Sequence, residues 1–246
     1  MAILLGLIQG LTEFLPISSS GHLLLAQRIF SMPTDMLMFD IILHLATLCA
    51  VVIVFRKKIW QLICHPFCKT NYCLLIATVI TCTIVLLFKD QIDKTLTYKI
   101  LPFTFMITAI VLFTTSLISP KNATEIGYKT GIIAGLTQGI AVIPGISRSG
   151  STIAAALLTG TRRQDAAEFA FLMSIPIIIA SFLFELISSP TSALSISPIP
   201  LSFGFITALI SGILAIKFML KIVKSIKLYW FSLYLVILSI ILLFIF

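Results

Sequence analysis

Residues 6–21, GLIQGLTEFLPISSSG, return in altered form at 135–150 as GLTQGIAVIPGISRSG. Residue 6 answers to 135 and residue 21 to 150, a constant offset of 129. Gly6, Leu7, Gln9, Gly10, Ile17, Ser18, Ser20 and Gly21 each meet their own residue type across it. In a chain this apolar, such an echo predicts two structural repeats, each with a polar break at membrane depth. The mismatches carry as much information as the matches. Glu13 meets Val142, Ser19 meets Arg148 and His22 meets Ser151. One copy has groups suited to acid–base chemistry and the other has a fixed positive charge.

Of the 246 residues, 59% are hydrophobic and 11% charged, and the mean hydropathy is +1.14. A soluble domain carries about 25% charged residues, so the expectation is an all-α integral membrane protein. The net charge of +8 reads as membrane topology rather than nucleic-acid binding, because the positive residues sit at the ends of apolar runs. The N-terminal apolar stretch lacks a basic leader and carries Glu13 within a motif, so no cleavable signal is expected. Cys64, His65 and Cys68 resemble metal ligands only faintly, since no second CxxC or HxxxH arm accompanies them.

A bilayer-spanning helix needs about 20 apolar residues. Six stretches qualify, near 37–55, 72–88, 101–118, 169–187, 201–223 and 230–246. The echo segments do not. Each is an apolar half (1–15 and 131–143), a Gly/Pro/Ser tip, and a second apolar half (21–30 and 149–160). Irregular backbone at membrane depth is tolerated only where protein or a water-filled cavity surrounds it, so these segments predict re-entrant helical hairpins at 1–30 and 131–160. Counting each hairpin as a return to its own side puts Arg56, Lys57, Lys58, Lys69, Lys121, Lys129, Arg162, Arg163, Lys221, Lys224 and Lys227 on one face, the cytoplasmic one. Arg28, Lys89, Lys94 and Lys99 fall on the other, diluted by Asp35, Asp90 and Asp93, together with the uncharged 188–200 loop. The predicted fold is a single membrane domain of two inverted repeats, about 1–118 and 119–246. Its two tips face one another near the midplane.

Ionisable groups within the membrane cost several kcal/mol and are functional candidates by default. Those near the tips are Glu13, His22, Arg148 and, more distantly, Asp40. Gln9 and Glu13 share a helix face at i, i+4, and Pro16 ends that helix. Ser18, Ser19 and Ser20 then stand where a helix N-cap belongs, offering hydroxyls and free N–H groups to an anion. The second tip, with Ser147, Arg148, Ser149 and Gly150, makes a similar cradle and adds a guanidinium able to grip phosphate bidentately. These parts spell phosphoryl chemistry. Ser19 would attack phosphorus, His22 would take its proton, and Glu13 would orient the imidazole or organise a cation. Ser18, Ser20, Ser147, Ser149, Gly150 and Gln9 would bind substrate with Arg148. Two bland alternatives stand beside this: a purely structural Glu13 ion pair, and direct attack by water with Ser19 only binding phosphate.

GLTEFLPISSSGH (10–22) and PGISRSGST (144–152) closely resemble the two signature motifs of the undecaprenyl pyrophosphate phosphatase, or bacitracin-resistance, family. The resemblance implies hydrolysis of undecaprenyl diphosphate to the monophosphate and inorganic phosphate, recycling the lipid carrier of cell-wall synthesis. It further implies a bacterial plasma-membrane location with a site open towards the periplasm, and functional positions at Glu13, Ser19, His22 and Arg148. Family members often carry a second glutamate where this chain has Gln9. A single carboxylate weakens the case for a two-carboxylate Mg²⁺ or Ca²⁺ site, leaving Glu13 as the candidate ligand. The partners implied are a polyprenyl diphosphate and membrane lipid, without nucleic acid; a homodimer is compatible with such a chain. The type-2 phosphatidic acid phosphatases are excluded, because the histidine that should follow Ser147-Arg148 is Ala154. The competing class is an inverted-repeat transporter or flippase for a polyprenyl phosphate, an architecture built on the same broken helices.

Overall fold

The computed structural model describes residues 1–32, 36–94, 97–118, 123–188, 198–225 and 228–246. Within them the chain is helical nearly throughout. Two short helices, α1 (Ala2–Phe14) and α2 (Ser19–Ile29), precede the long α3 (Leu37–Cys64) and α4 (Lys69–Leu87). A short α5 (Lys89–Lys94) and a 3-10 turn at Tyr98–Ile100 lead into α6 (Leu101–Ser116). A second short pair follows, α7 (Tyr128–Ile140) and α8 (Arg148–Leu158), then α9 (Arg163–Ser188), α10 (Pro198–Ile222) and α11 (Tyr229–Ile245).

Five helices are long and apolar enough to cross a bilayer: Met38–Cys64, Lys69–Leu87, Tyr98–Ser116, Arg163–Ile187 and Pro198–Ile222. The sixth expected span is the 17-residue Tyr229–Ile245, ~25 Å long at 1.5 Å per residue. Several boundaries differ from the expectation. α3 runs on to Cys64 rather than stopping near 55 and takes in Arg56, Lys57 and Lys58. Those long side chains favour helix and can carry their charges out of an apolar setting. For the same reason α9 starts at Arg163, six residues early, and α7 ends at Ile140, before Pro144 compels it. Asp35, Lys121, Lys227 and most of the 188–200 loop lie outside the described residues.

Small residues decide which helices touch. α1 lies along α10 and α7 along α4, with Gly6 against Gly204 and Gly10 against Ala208 and Ser211. Gly131, Gly135 and Gly139 present the matching bare face of α7 to Cys73, Ala77 and Ile84 of α4. Association in lipid draws on such close backbone packing and on hydrogen bonds between helices, because apolar surface alone supplies no drive there. Thr81 accordingly donates to the Gly135 carbonyl at 3.0 Å, and Ser232 and Ser239 of α11 donate to the Ala109 and Pro102 carbonyls of α6. Phe14, at the end of α1, meets Phe171 of α9 edge-on, with centroids 5.4 Å apart, and Phe55 of α3 closes the cluster.

The polar ends of the helices group in the same way. Lys58, Thr70, Glu125, Arg162 and Asp165 line one small cavity. Nearby, Lys69 stands over the Tyr128 ring and Arg163 donates to the Ile118 carbonyl. Elsewhere, Arg28 stacks on Tyr98 and Lys89 lies over Phe184 near the end of α9.

A side chain at Gly135 has no room, since its Cβ would come within 2.8 Å of Ala77 backbone. Gly135→Val is expected to cost about 2–3 kcal/mol of stability and to lower the thermal midpoint of the detergent-purified protein. Gly127→Ser, where a Cβ meets nothing within 4 Å, should leave that midpoint in place.

Candidate active site

Both short helix pairs are broken by proline, and each break is followed by a serine cap. Leu15 is extended (φ −74°, ψ 143°), as a residue before proline must be, and α1 ends there. Ser18 then caps α2, accepting from the Gly21 N–H at 3.3 Å. Ser147 caps α8 in the same manner, accepting from the Gly150 N–H at 3.1 Å. In each tip the cap hydroxyl also lies beside the serine two residues on: Ser18 and Ser20 at 3.4 Å, Ser147 and Ser149 at 3.3 Å. The echo in sequence is thus an echo in hydrogen bonding.

The turns themselves differ. In the first tip the left-handed residue is Ser18 (φ 71°), whereas in the second it is Gly145 (φ 91°). A serine in that region is strained and persists only when its surroundings fix it. Here they do, because its hydroxyl also accepts from the Gly145 N–H at 3.1 Å. Ser149 returns a bond, donating to the Leu15 carbonyl at 3.2 Å. From α6, Thr108 donates to the Gly145 carbonyl (2.8 Å) and accepts from the Ser147 N–H (3.1 Å). The two tips are therefore tied directly to each other, and the second is also tied to α6.

The strongest tie is ionic. Arg148 donates from Nη2 to Glu13 Oε1 at 2.7 Å, with the Glu13 side chain only 4% exposed. Ser19 Oγ donates to the other carboxylate oxygen, Oε2, at 2.5 Å. Gln9 donates to Oε2 from Nε2 at 3.1 Å, and His44 Nε2 stands 3.5 Å from it. Glu13, Ser19, His44 and Arg148 border a cavity of about 270 Å³. Its polar side is Glu13, Ser18, Ser19, Ser20, Ser147 and Arg148; Ile41, Val142, Ile177 and Ile178 form an apolar side. The first turns of α2 and α8 both open onto it, an arrangement suited to an anion.

Most of the expected site residues come together here, with three differences. His22 does not meet Ser19. Its Nδ1 lies 2.7 Å from the Ser18 carbonyl and its Nε2 2.8 Å from the Tyr234 hydroxyl of α11. The ring is stacked on Tyr234 and close to Phe105. Residues three apart share a helix face, but the Ser19 hydroxyl turns to Glu13 while the His22 ring is held on the α11 side by the Ser18 carbonyl and Tyr234, so proximity in sequence does not become contact. Gln9 is fully buried behind Glu13 and supports the carboxylate. The Gly150 N–H is used by its own cap. Asp40 stands apart, accepting both Gln27 Nε2 bonds at 2.9 and 2.8 Å. The residue that sequence reasoning passed over is His44, one turn beyond Asp40 on α3. The signal was available, because His44 meets Met173 across the 129-residue offset, another polar group present in one copy alone.

The donor set does not make a cage for Mg²⁺ or Ca²⁺. Glu13 is the single carboxylate on the cavity wall, and both its oxygens are engaged. Among the described residues no three His, Cys, Asp or Glu groups converge.

Fold and site together define a multi-span helical membrane protein with a polar pocket between two helix N-termini. The chain belongs to the family described as Bacitracin resistance protein BacA, which matches residues 2–241. It is 43% identical over 250 residues to an undecaprenyl-diphosphatase of Treponema denticola, covering 96% of this chain and 93% of that one. It is 40% identical to one of Carboxydothermus hydrogenoformans (97% and 94% covered) and 36% identical to one of Korarchaeum cryptofilum (97% and 96%).

Removing one partner of a buried ion pair strands the other and typically costs about 3–5 kcal/mol. Arg148→Ala and Glu13→Ala should each lower the thermal midpoint, while the double variant should lose less than their sum. A double-mutant cycle on thermal unfolding measures the difference. Strict additivity would show the two groups to be uncoupled.

Proposed function

We propose that this protein hydrolyses undecaprenyl diphosphate to undecaprenyl phosphate and inorganic phosphate, returning the lipid carrier to cell-wall synthesis. The observation that carries this reading is the meeting of Ser19 and Arg148 on one carboxylate, between two helix N-termini, in a cavity with a wall of isoleucines. The polar side suits the diphosphate and the apolar side suits the start of a prenyl chain. Full-length relatives named undecaprenyl-diphosphatase support it.

In the proposed mechanism the terminal phosphate enters between the tips and Arg148 turns from Glu13 onto it, stabilising charge as it develops. Ser19 Oγ attacks the terminal phosphorus and its proton passes to Glu13 Oε2, already 2.5 Å away. The bond from phosphorus to the bridging oxygen breaks, and the electron pair leaves on the prenyl phosphate. Water then attacks the phosphoserine, Glu13 returns its proton to Ser19, and both water hydrogens leave on dihydrogen phosphate. Glu13 thus takes the part that the sequence suggested for His22. His22 instead holds the Ser18 turn through its carbonyl. Any divalent cation arrives on the diphosphate, as Mg²⁺ commonly does.

The fold supports inverted repeats with re-entrant hairpins at 1–30 and 131–160. Shifting by 129 turns α1 into α7 and α4 into α10, so the α1–α10 and α7–α4 contacts are one contact seen twice. The basic loops around Lys58, Lys69, Arg162 and Arg163 lie together, as they must if each hairpin returns to its own side. The positive-inside rule makes that end cytoplasmic. Ile41 and Ser181 on the cavity wall lie toward the opposite ends of α3 and α9, which supports an opening on the outer, periplasmic side of the plasma membrane.

Phosphate release by the detergent-purified protein, where no membrane separates compartments, tests the reading against a transporter. Ser19→Ala, Glu13→Gln and Arg148→Ala should each lower kcat/KM by roughly 10²–10³-fold, the range for a lost nucleophile, base or charge stabiliser. Rapid quenching should trap phosphate on Ser19. Turnover by Ser19→Ala without trapped phosphate would hand the attack to water, and no release from any lipid diphosphate would favour a carrier.

A further inference from the structure

We propose that His44 is the second proton-handling group of this site, holding Glu13 in its protonated form between the two half-reactions. The inference rests on the phosphatase reading above and adds to it a residue outside both signature motifs.

The ring orientation fixes what each nitrogen can do. Nδ1 lies 2.8 Å from the backbone carbonyl oxygen of Asp40, one helical turn back. A carbonyl can only accept, so Nδ1 carries the hydrogen; in the proposed resting state Nε2 carries none and turns its lone pair towards Glu13. On the same helix the Asp40 carboxylate takes its hydrogen bonds from the Gln27 amide and acts on the ring only through its charge. Buried Thr47 donates to the His44 backbone carbonyl at 2.8 Å, within the helical turn that carries the ring.

Before the reaction, Nε2 and Oε2 face each other at 3.5 Å, two acceptors with no hydrogen between them. This is a mismatch, and the other donors to Glu13 outweigh it. The attack reverses that balance. Once the Ser19 proton reaches Oε2, the carboxylic acid becomes a donor, and His44 Nε2 is the acceptor already facing it. Closing to a hydrogen bond of about 2.7 Å needs less than 1 Å of movement. Arg148 has by then turned to the phosphate, and Ser19 has become an ester without a hydrogen to give. The interaction is therefore formed as the proton moves and not before, which is the condition for raising kcat rather than tightening binding. Glu13 has no equivalent in the second repeat, and neither has His44: Val142 and Met173 stand at those positions.

Three substitutions separate this role from simple packing. In His44→Asn the amide can still satisfy the Asp40 carbonyl but does not reach Glu13. His44→Gln reaches Glu13 with an acceptor oxygen, and His44→Met copies the second repeat. With thermal midpoints recorded alongside, the expectation is a 10- to 100-fold fall in kcat for Asn and Met, KM within about twofold, and recovery of most of kcat in Gln. A KM rise at unchanged kcat, wild-type kcat in Asn, or equal loss in Asn and Gln would each overturn the assignment. If these variants behave as wild type while Ser19→Ala and Arg148→Ala are inactive, the His44 role fails and the phosphatase reading stands. Absence of phosphate release from the wild-type protein would remove that reading itself.

Discussion

A carboxylate and a guanidinium from different halves of the chain meet in the interior of a membrane protein, and the rest of the site is arranged around them. Neither charge is tolerable there alone. Their pairing forces the two proline-broken tips together, and three lesser bonds, Ser18 to Gly145, Ser149 to Leu15 and Thr108 to Gly145, hold that closure in register. A buried pair of this kind contributes little net stability compared with an apolar substitute of the same volume. Its worth lies in what it keeps ready. Arg148 has a carboxylate partner that a phosphate can replace, and Glu13 is held against a hydroxyl it can deprotonate.

The two halves of the chain supply different things to this meeting. Equivalent caps at Ser18 and Ser147 build a similar cradle twice, and matching glycine faces on α1 and α7 seat each cradle on a long helix. The chemistry is confined to positions where the halves disagree. Glu13, Ser19 and His44 come from one half, facing Val142, Arg148 and Met173 in the other. Duplication provides a symmetric scaffold, and divergence at a few positions provides a site with distinct acidic and basic sides.

Much of this was legible in the sequence because it follows from periodicity and from the cost of charge in lipid. The apolar spans, the breaks at Pro16 and Pro144 and the serine caps are consequences of local rules, and the cost of charge called for a partner to Glu13, with His22 and Arg148 both candidates. What failed to come through depended on rotation about a helix axis or on distant partners. His22 was expected beside Ser19, and its ring instead lies against Tyr234, 212 residues away. His44 was hidden because it lies on a long apolar helix without a motif around it, where only its proximity to Glu13 gives it meaning. The reach of α3 through Arg56, Lys57 and Lys58 was missed because hydropathy falls there while helix propensity does not.

The exchange of helices between halves bears on how the chain can be made. The glycine face of α1 packs on α10, which is synthesised almost two hundred residues later. Until α10 emerges, Gly6 and Gly10 have no surface to rest on, and until residue 148 is made Glu13 has no arginine. The N-terminal segment must therefore wait at the membrane, unfinished, for nearly the whole of translation. A truncated chain ending before residue 198 lacks α10 and has no native place to put its first helix. Such a protein is assembled at its end rather than along its length, and quality control at the translocon has to tolerate a long-lived, half-buried carboxylate.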